Sequence, residues 1–208
     1  MNITEDILQA VCISLVVAIF LLNTGRALKA IEVCKECLIF LNTRVVKIEG
    51  EIFNLPYIGI YKTIFSAYRL IPDHTQAVIY GRKLLEIYRQ CNAKEEEGSL
   101  SMSLANIYCK HYRYPEAMEL YEKAINITKE RGDRKNEAYA NHKVGLIYHC
   151  LNDYEKAKIY IQKALTINVQ IGEKEGEASS TITWELCVKI LVNMTKLKNI
   201  LRKHLPSQ

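Results

Sequence analysis

An all-α array of helix-turn-helix repeats, closed by a C-terminal helix, is the fold class that the sequence predicts. Three observations carry it. The chain resembles itself at a step of 40 residues: Tyr148, Ala157, Ala164 and Ile167 fall on Tyr108, Ala117, Ala124 and Ile127, and a further step back lands on Tyr68, Ala77, Leu84 and Ile87. Within the best unit, apolar residues recur at helical spacing in two runs, Ala140, Val144, Ile147 and Tyr148, then Tyr154, Ala157, Tyr160, Ile161, Ala164 and Leu165. The prolines stay out of these runs: Pro115 opens a second helix, Pro56 and Pro72 are assigned to loops, and Pro206 follows the last helix.

The first unit is expected at residues 5–45. Its opening stretch, residues 7–22 (ILQAVCISLVVAIFLL), is the most apolar of the chain. It is shorter than the about 20 residues a membrane span needs, and Glu5 and Asp6 precede it where a signal sequence carries Lys or Arg. The repeat frame accounts for it instead as a degenerate first helix, with Ala18 and Leu21 at the small and bulky positions and residues 26–42 as its partner. Seven extra residues then fall in the loop around RVVKIEGE. A membrane anchor through 7–22 is the competing reading.

The second unit, 57–97, keeps Tyr68 and Ala77 but puts Phe65 at the small crossing position and Gly81 at the bulky one, an exchange that conserves volume locally. The third and fourth units, 98–137 and 138–177, carry the cleanest pattern. A helix-interior glycine costs about 1 kcal/mol relative to alanine, so Gly145 predicts a point where two helices cross too closely for a side chain. Ala105 answers the same demand one unit earlier. Residues 178–204 read as one long helix with Leu186, Ile190, Met194, Leu197 and Leu201 on a stripe, Lys189, Lys196, Lys198, Arg202 and Lys203 around it, and Trp184 packing on the fourth unit. A repeat array needs such a terminal cap, because an uncovered last unit exposes its stacking surface. Residues 205–208 form a tail.

These residues resemble the tetratricopeptide repeat family, whose pattern places Leu-Gly, Tyr, Ala, a bulky residue and Ala at fixed offsets. Here the run is Val144-Gly145, Tyr148, Ala157, Ile161 and Ala164, and before it Leu104-Ala105, Tyr108, Ala117, Tyr121 and Ala124. The 40-residue step and the Gly-Asp style link are similar to the long-repeat subgroup of Pins-type polarity adaptors and kinesin light chains. Asn141 and Ser101 stand where the family has its first-helix Trp, and Val169 and Lys129 stand where it has a terminal Pro. The resemblance implies a right-handed superhelical solenoid that binds a protein partner along its first helices.

Carried over position by position, the groove-facing offsets give Leu15, Val16, Ile19 and Leu22 in the first unit, and Lys62, Thr63, Ser66 and Arg69 in the second. They give Met102, Ser103, Asn106 and Cys109 in the third unit, with Lys110 beside them, and Tyr139, His142, Lys143, Leu146 and His149 in the fourth. The expected binding residues are Lys62, Arg69, Asn106, Lys110, His142, Lys143 and His149, a basic surface without carboxylates that complements a peptide or helical segment with an acidic stretch. A carboxylate clamp of the chaperone-binding kind is not expected, because Ser66, Ser103 and Tyr139 replace its polar residues.

The remaining composition narrows the function class. A net charge of +5 is mild, and most of the tyrosines sit at core offsets rather than along a basic stripe, so nucleic acid is not the expected partner; an RNA-binding repeat is a lesser alternative. An odd count of seven cysteines without a paired framework points to a reducing, cytoplasmic setting. Cys34 and Cys37 take the core positions of Ile161 and Ala164, so the C-x-x-C spacing reads as packing rather than metal or redox chemistry. No phosphate loop, zinc-binding helix motif or nucleophile elbow is present, so neither catalysis nor a cofactor, metal or small-molecule substrate is expected. A non-catalytic scaffold or adaptor is.

Overall fold

The computed structural model describes residues 3–44, 54–71 and 73–204. Among them are nine α-helices and no strand: α1 (Ile3–Asn23), α2 (Ala27–Arg44), α3 (Asn54–Leu70), α4 (His74–Gln90), α5 (Lys94–Lys110), α6 (Tyr114–Arg131), α7 (Arg134–Cys150), α8 (Tyr154–Ile171) and α9 (Lys174–His204). The loop residues 45–51, Pro72, Pro206 and the tail lie outside the described residues.

The 40-residue step is written most plainly in the turns. Asn92, Gly132 and Gly172 adopt the left-handed conformation at φ 52°, 70° and 70°, each ending a second helix. Tyr112 and Asn152 do the same at φ 58° and 60°, each ending a first helix. At the Gly132 end, the Asp133 N–H returns to the Thr128 carbonyl at 2.8 Å; at the Gly172 end, the Glu173 N–H returns to Asn168 at 3.0 Å. These bonds close the Schellman geometry that satisfies carbonyls at a helix end. The next helix then starts from a capping aspartate: Asp133 accepts from the Asn136 N–H, as Asp73 and Asp153 do from Gln76 and Lys156.

First helices begin with a second repeated device. Lys94–Glu97, Arg134–Glu137 and Lys174–Glu177 are ion pairs three residues apart at the same place in successive units. Glu97 and Glu137 are buried, and Arg89 also reaches Glu97 at 3.0 Å. Helices α5, α7 and α9 therefore start at Lys94, Arg134 and Lys174, rather than at the 98, 138 and 178 that the apolar pattern marks, because caps and paired first turns precede the core positions. Pro56 likewise belongs to the first turn of α3, not to a loop; there its missing N–H has no carbonyl to lose.

The chain divides into two compact units, Met1–Leu100 and Ser101–Gln208. In the first, α1 packs on α2 and α3, and α3 on α4. Ile7, Val11 and Ala18 bury the inner stripe of α1, and Gly59 of α3 approaches Leu15 so closely that a Cβ would sit 2.4 Å from its Cδ2. Cys34 and Cys37 are buried; desolvation pushes the Cys34 thiol up to about 12 and raises Cys37 as well, which makes both packing groups rather than nucleophiles. Phe65 and Gly81, the exchanged pair, are both buried.

In the second unit, α6 packs on α7, α7 on α8, and α8 on α9. A Cβ at Gly145 would meet Ile161 Cδ1 at 2.5 Å and the Ile161 backbone nitrogen at 3.2 Å, the close crossing that its helix position foretells. Ala105, Ala117, Ala124, Ala157 and Ala164 are fully buried. At the positions of the missing tryptophans, Asn141 is buried with its amide on the Glu137 carbonyl at 2.8 Å, and Ser101 is buried with its hydroxyl unpartnered. Trp184 is half-buried on α9, its indole N–H enclosed and unpartnered.

Candidate functional site

Three helices of the second unit meet around a cleft of about 260 Å³. Helix α7 contributes Ala138, Tyr139, His142 and Lys143, α8 contributes Asn168, and the first two turns of α9 contribute Gly176, Ser179 and Ser180. Gly176 sets the spacing: a Cβ there would lie 2.7 Å from the Asn168 amide nitrogen, so glycine lets the start of α9 close over that side chain.

The floor is a chain of polar groups. The Asn168 Nδ2 donates to Ser180 Oγ at 3.4 Å, and Ser180 Oγ lies 3.1 Å from His142 Nδ1. Asn168 and Ser180 are buried, so each hydrogen bond removes a desolvation cost that an apolar neighbour would leave standing. Burial, followed by the nearby Lys143 charge, lowers the His142 pKa and favours the neutral ring. A neutral imidazole bonded through one nitrogen presents the other as a donor or acceptor.

The wall is aromatic and basic. Lys143 Nζ lies over the Tyr139 ring at 5.2 Å, and the Tyr139 hydroxyl donates to Asn106 Oδ1 at 3.1 Å. The Tyr121 hydroxyl donates to the same oxygen at 2.7 Å, so Asn106 ties α5, α6 and α7 together. At the mouth, Lys135 pairs with Glu173 at 2.8 Å, and Glu175 stands beside it.

The structure thus brings His142, Lys143 and Asn106 into one neighbourhood. His149 does not join them: it packs edge-on against Tyr154 at 5.3 Å, with its Nε2 enclosed. Lys110 is exposed at the end of α5. Lys62 and Arg69 belong to the first unit, both exposed on α3, and the Arg69 guanidinium lies 5.7 Å over the Phe65 ring. Two groove assignments are corrected. Thr63 and Met102 are buried, Thr63 with its hydroxyl on the Gly59 carbonyl at 2.9 Å, because their helix positions face packing rather than solvent. The expectation of a groove without carboxylates also fails at this end, where Glu173 and Glu175 line the cleft.

Asn168, Gly176 and Ser180 were not found from sequence. Their one signal was a polar residue, Asn168, at the core offset where the preceding unit has Thr128, followed by a second glycine only four residues after Gly172.

A family model for the tetratricopeptide repeat matches residues 96–168. Over those residues the chain is similar to tetratricopeptide repeats. Solved structures agree on the fold of these repeats. RapI in its apo form aligns with a TM-score of 0.73 at 17% identity, covering 91% of this chain and 51% of RapI, so the chain spans about half the length of that relative. A putative kinesin light chain of Podosopora anserina with nearly identical TPR-like repeats aligns with a TM-score of 0.65 at 14% identity, covering 93% and 95%. The Rap conjugation gene regulator of plasmid pLS20, solved in complex with the Phr* peptide, aligns with a TM-score of 0.54 at 16% identity, covering 98% and 61%. No curated protein matches the sequence.

Proposed function

We propose that the chain is a non-catalytic, cytoplasmic scaffold that binds a peptide or a helical segment of a protein partner along its first helices, with the α7–α8–α9 cleft as the anchoring point in the second unit. The observation that carries this reading is the cleft itself: a concave space with room to seat a side chain of a bound segment, with a polar floor of Asn168, Ser180 and His142 beneath the Lys143–Tyr139 wall. A peptide-bound relative of the same fold, the Rap regulator with Phr*, supports it. The ligand segment places a carboxylate against Lys143 and a hydrogen-bonding group against His142, while Glu173 and Glu175 favour a polar or basic residue at the mouth.

Selection from a random-sequence peptide library, followed by fluorescence anisotropy on the enriched peptides, tests this. Acidic peptides are expected to emerge, to weaken about tenfold or more on Lys143→Glu, and to weaken as salt is raised. Enrichment with no acidic residue, or affinities that Lys143→Glu leaves unchanged, removes the reading.

A further inference from the structure

Among the described residues, the outer face of α1 is apolar and uncovered. Only 11% of the Asp6–Asn23 segment is buried. Ile13 is 59% exposed, Val16 67% and Phe20 62%, and with Val17 they form a stripe at spacings of three, one and three residues, flanked by exposed Ile19. Three of these four have buried counterparts in both α3 and α7. Ile13, Val17 and Phe20 correspond to Ile60, Ile64 and Ala67 of α3, which are fully buried in a helix that has α2 packed ahead of it. They correspond again to Ala140, Val144 and Ile147 of α7, buried in a helix that has α6 ahead of it. The stripe on α1 therefore has the shape of a helix-packing surface.

We propose that this face pairs with the same face of a second copy of the chain, α1 lying antiparallel on α1 about a two-fold axis at Val16. The charge pattern sets the occupant and the register. No charged residue stands between Asp6 and Arg26, both of which are exposed; they are equally far from Val16 along the sequence, Asp6 near the start of α1 and Arg26 just past the Gly25 turn that ends it. Antiparallel pairing centred there brings Asp6 of each copy to Arg26 of the other, Ile13 to Ile19, and Cys12 to Phe20. The face is self-complementary, as an isologous interface requires. Covering its five large apolar side chains in both copies removes on the order of 1,000 Å² from water, the lower bound for a specific interface. A bilayer fits less well: Lys29, Glu32, Lys35 and Glu36 of α2 are exposed beside α1, which is held to α2 and α3 through Ile7, Val11 and Ala18, so lipid reaching the stripe would also have to receive those charges.

Sedimentation velocity and light scattering of the full chain from roughly 1 to 100 μM decide the matter. Twice the chain mass of 23.9 kDa is expected at the upper end. Val16→Asp, which sets two carboxylates against each other at the axis, is expected to raise the dissociation constant at least tenfold with helicity unchanged, and Phe20→Ser provides a second, milder variant. Asp6→Lys is expected to weaken the dimer, and Asp6→Lys combined with Arg26→Asp to restore it. A monomer throughout, a dimer indifferent to Val16→Asp and Phe20→Ser, or a charge swap that does not restore association each overturns the proposal. So does a monomeric chain that floats with phosphatidylcholine–phosphatidylglycerol vesicles, which would assign the stripe to lipid.

Discussion

Gly145 and Ile161 occupy one slot between α7 and α8, and the chain has room there for one side chain only. Gly145→Ala gains helix propensity of about 1 kcal/mol but forces Ile161 and its backbone to shift, at a typical overpacking cost of about 1–3 kcal/mol, so a net loss of up to about 2 kcal/mol is expected in urea unfolding. The pair Gly145→Ala with Ile161→Val is expected to lose less than the sum of its parts, which a double-mutant cycle measures. His142 gives a second prediction, through pH. Its folded pKa lies below its ordinary 6.5, because burial and then Lys143 disfavour the charged ring. The unfolded chain thus takes up this proton first as pH falls, so stability declines from about 6.5 downward until the folded pKa is passed. Comparing unfolding midpoints at pH 7.5 and 5.5, the wild type is expected to lose more than His142→Gln. Residues such as Gly145 and the buried alanines could be read from sequence because their demand is steric and recurs every unit. The Asn168–Ser180–His142 chain could not, since three ordinary polar residues on three helices acquire meaning only when Gly176 lets α9 approach.

Helices in this fold are delimited by their turns more than by their interiors. Gly132 and Gly172 have open space where a Cβ would go, so the cost of Gly132→Ala is purely that of a left-handed backbone, about 1 kcal/mol, readable as a lowered thermal midpoint. The opposite change is available in the turn that ends α5. Tyr112 is 79% exposed and held at φ 58°, whereas the equivalent turn one unit later uses Asn152. Tyr112→Asn is therefore expected to stabilise by about 0.5 kcal/mol, since asparagine enters this region more readily. Element order and the two-helix unit were readable in sequence, because periodicity reports the buried stripe of each helix. Element starts came out late, because capping aspartates and first-turn ion pairs carry no hydrophobic signal. Thr63 and Met102 were assigned to the groove by transferred offsets, and the actual rotation of α3 and α5 turned both inward.

At the scale of the molecule, the two ends differ from the middle. Apolar composition marks 7–22 as a helix, but the same composition describes a helix that is covered and one that is not; the exposure of its outer face is set by the packing of α2 and α3 on the opposite side. At the other end, α9 continues beyond its support: Val192 to Asn199 are all exposed, while Ser180 and Cys187 are fully buried. Ending the chain after Leu191 is expected to move the thermal midpoint by no more than a few degrees, whereas ending it before Lys174 uncovers the α8 surface and is expected to lower it sharply, as circular dichroism would record.

Trp184 adds an optical consequence. It is the single tryptophan of the chain, against 13 tyrosines, and it lies within the docked half of α9. Light at the red edge of the aromatic absorption therefore excites one place in the molecule. Its emission follows the seating of the last helix alone, while ellipticity averages over every helix, and the separation between the two signals during unfolding measures how far the end of the array loosens before the rest.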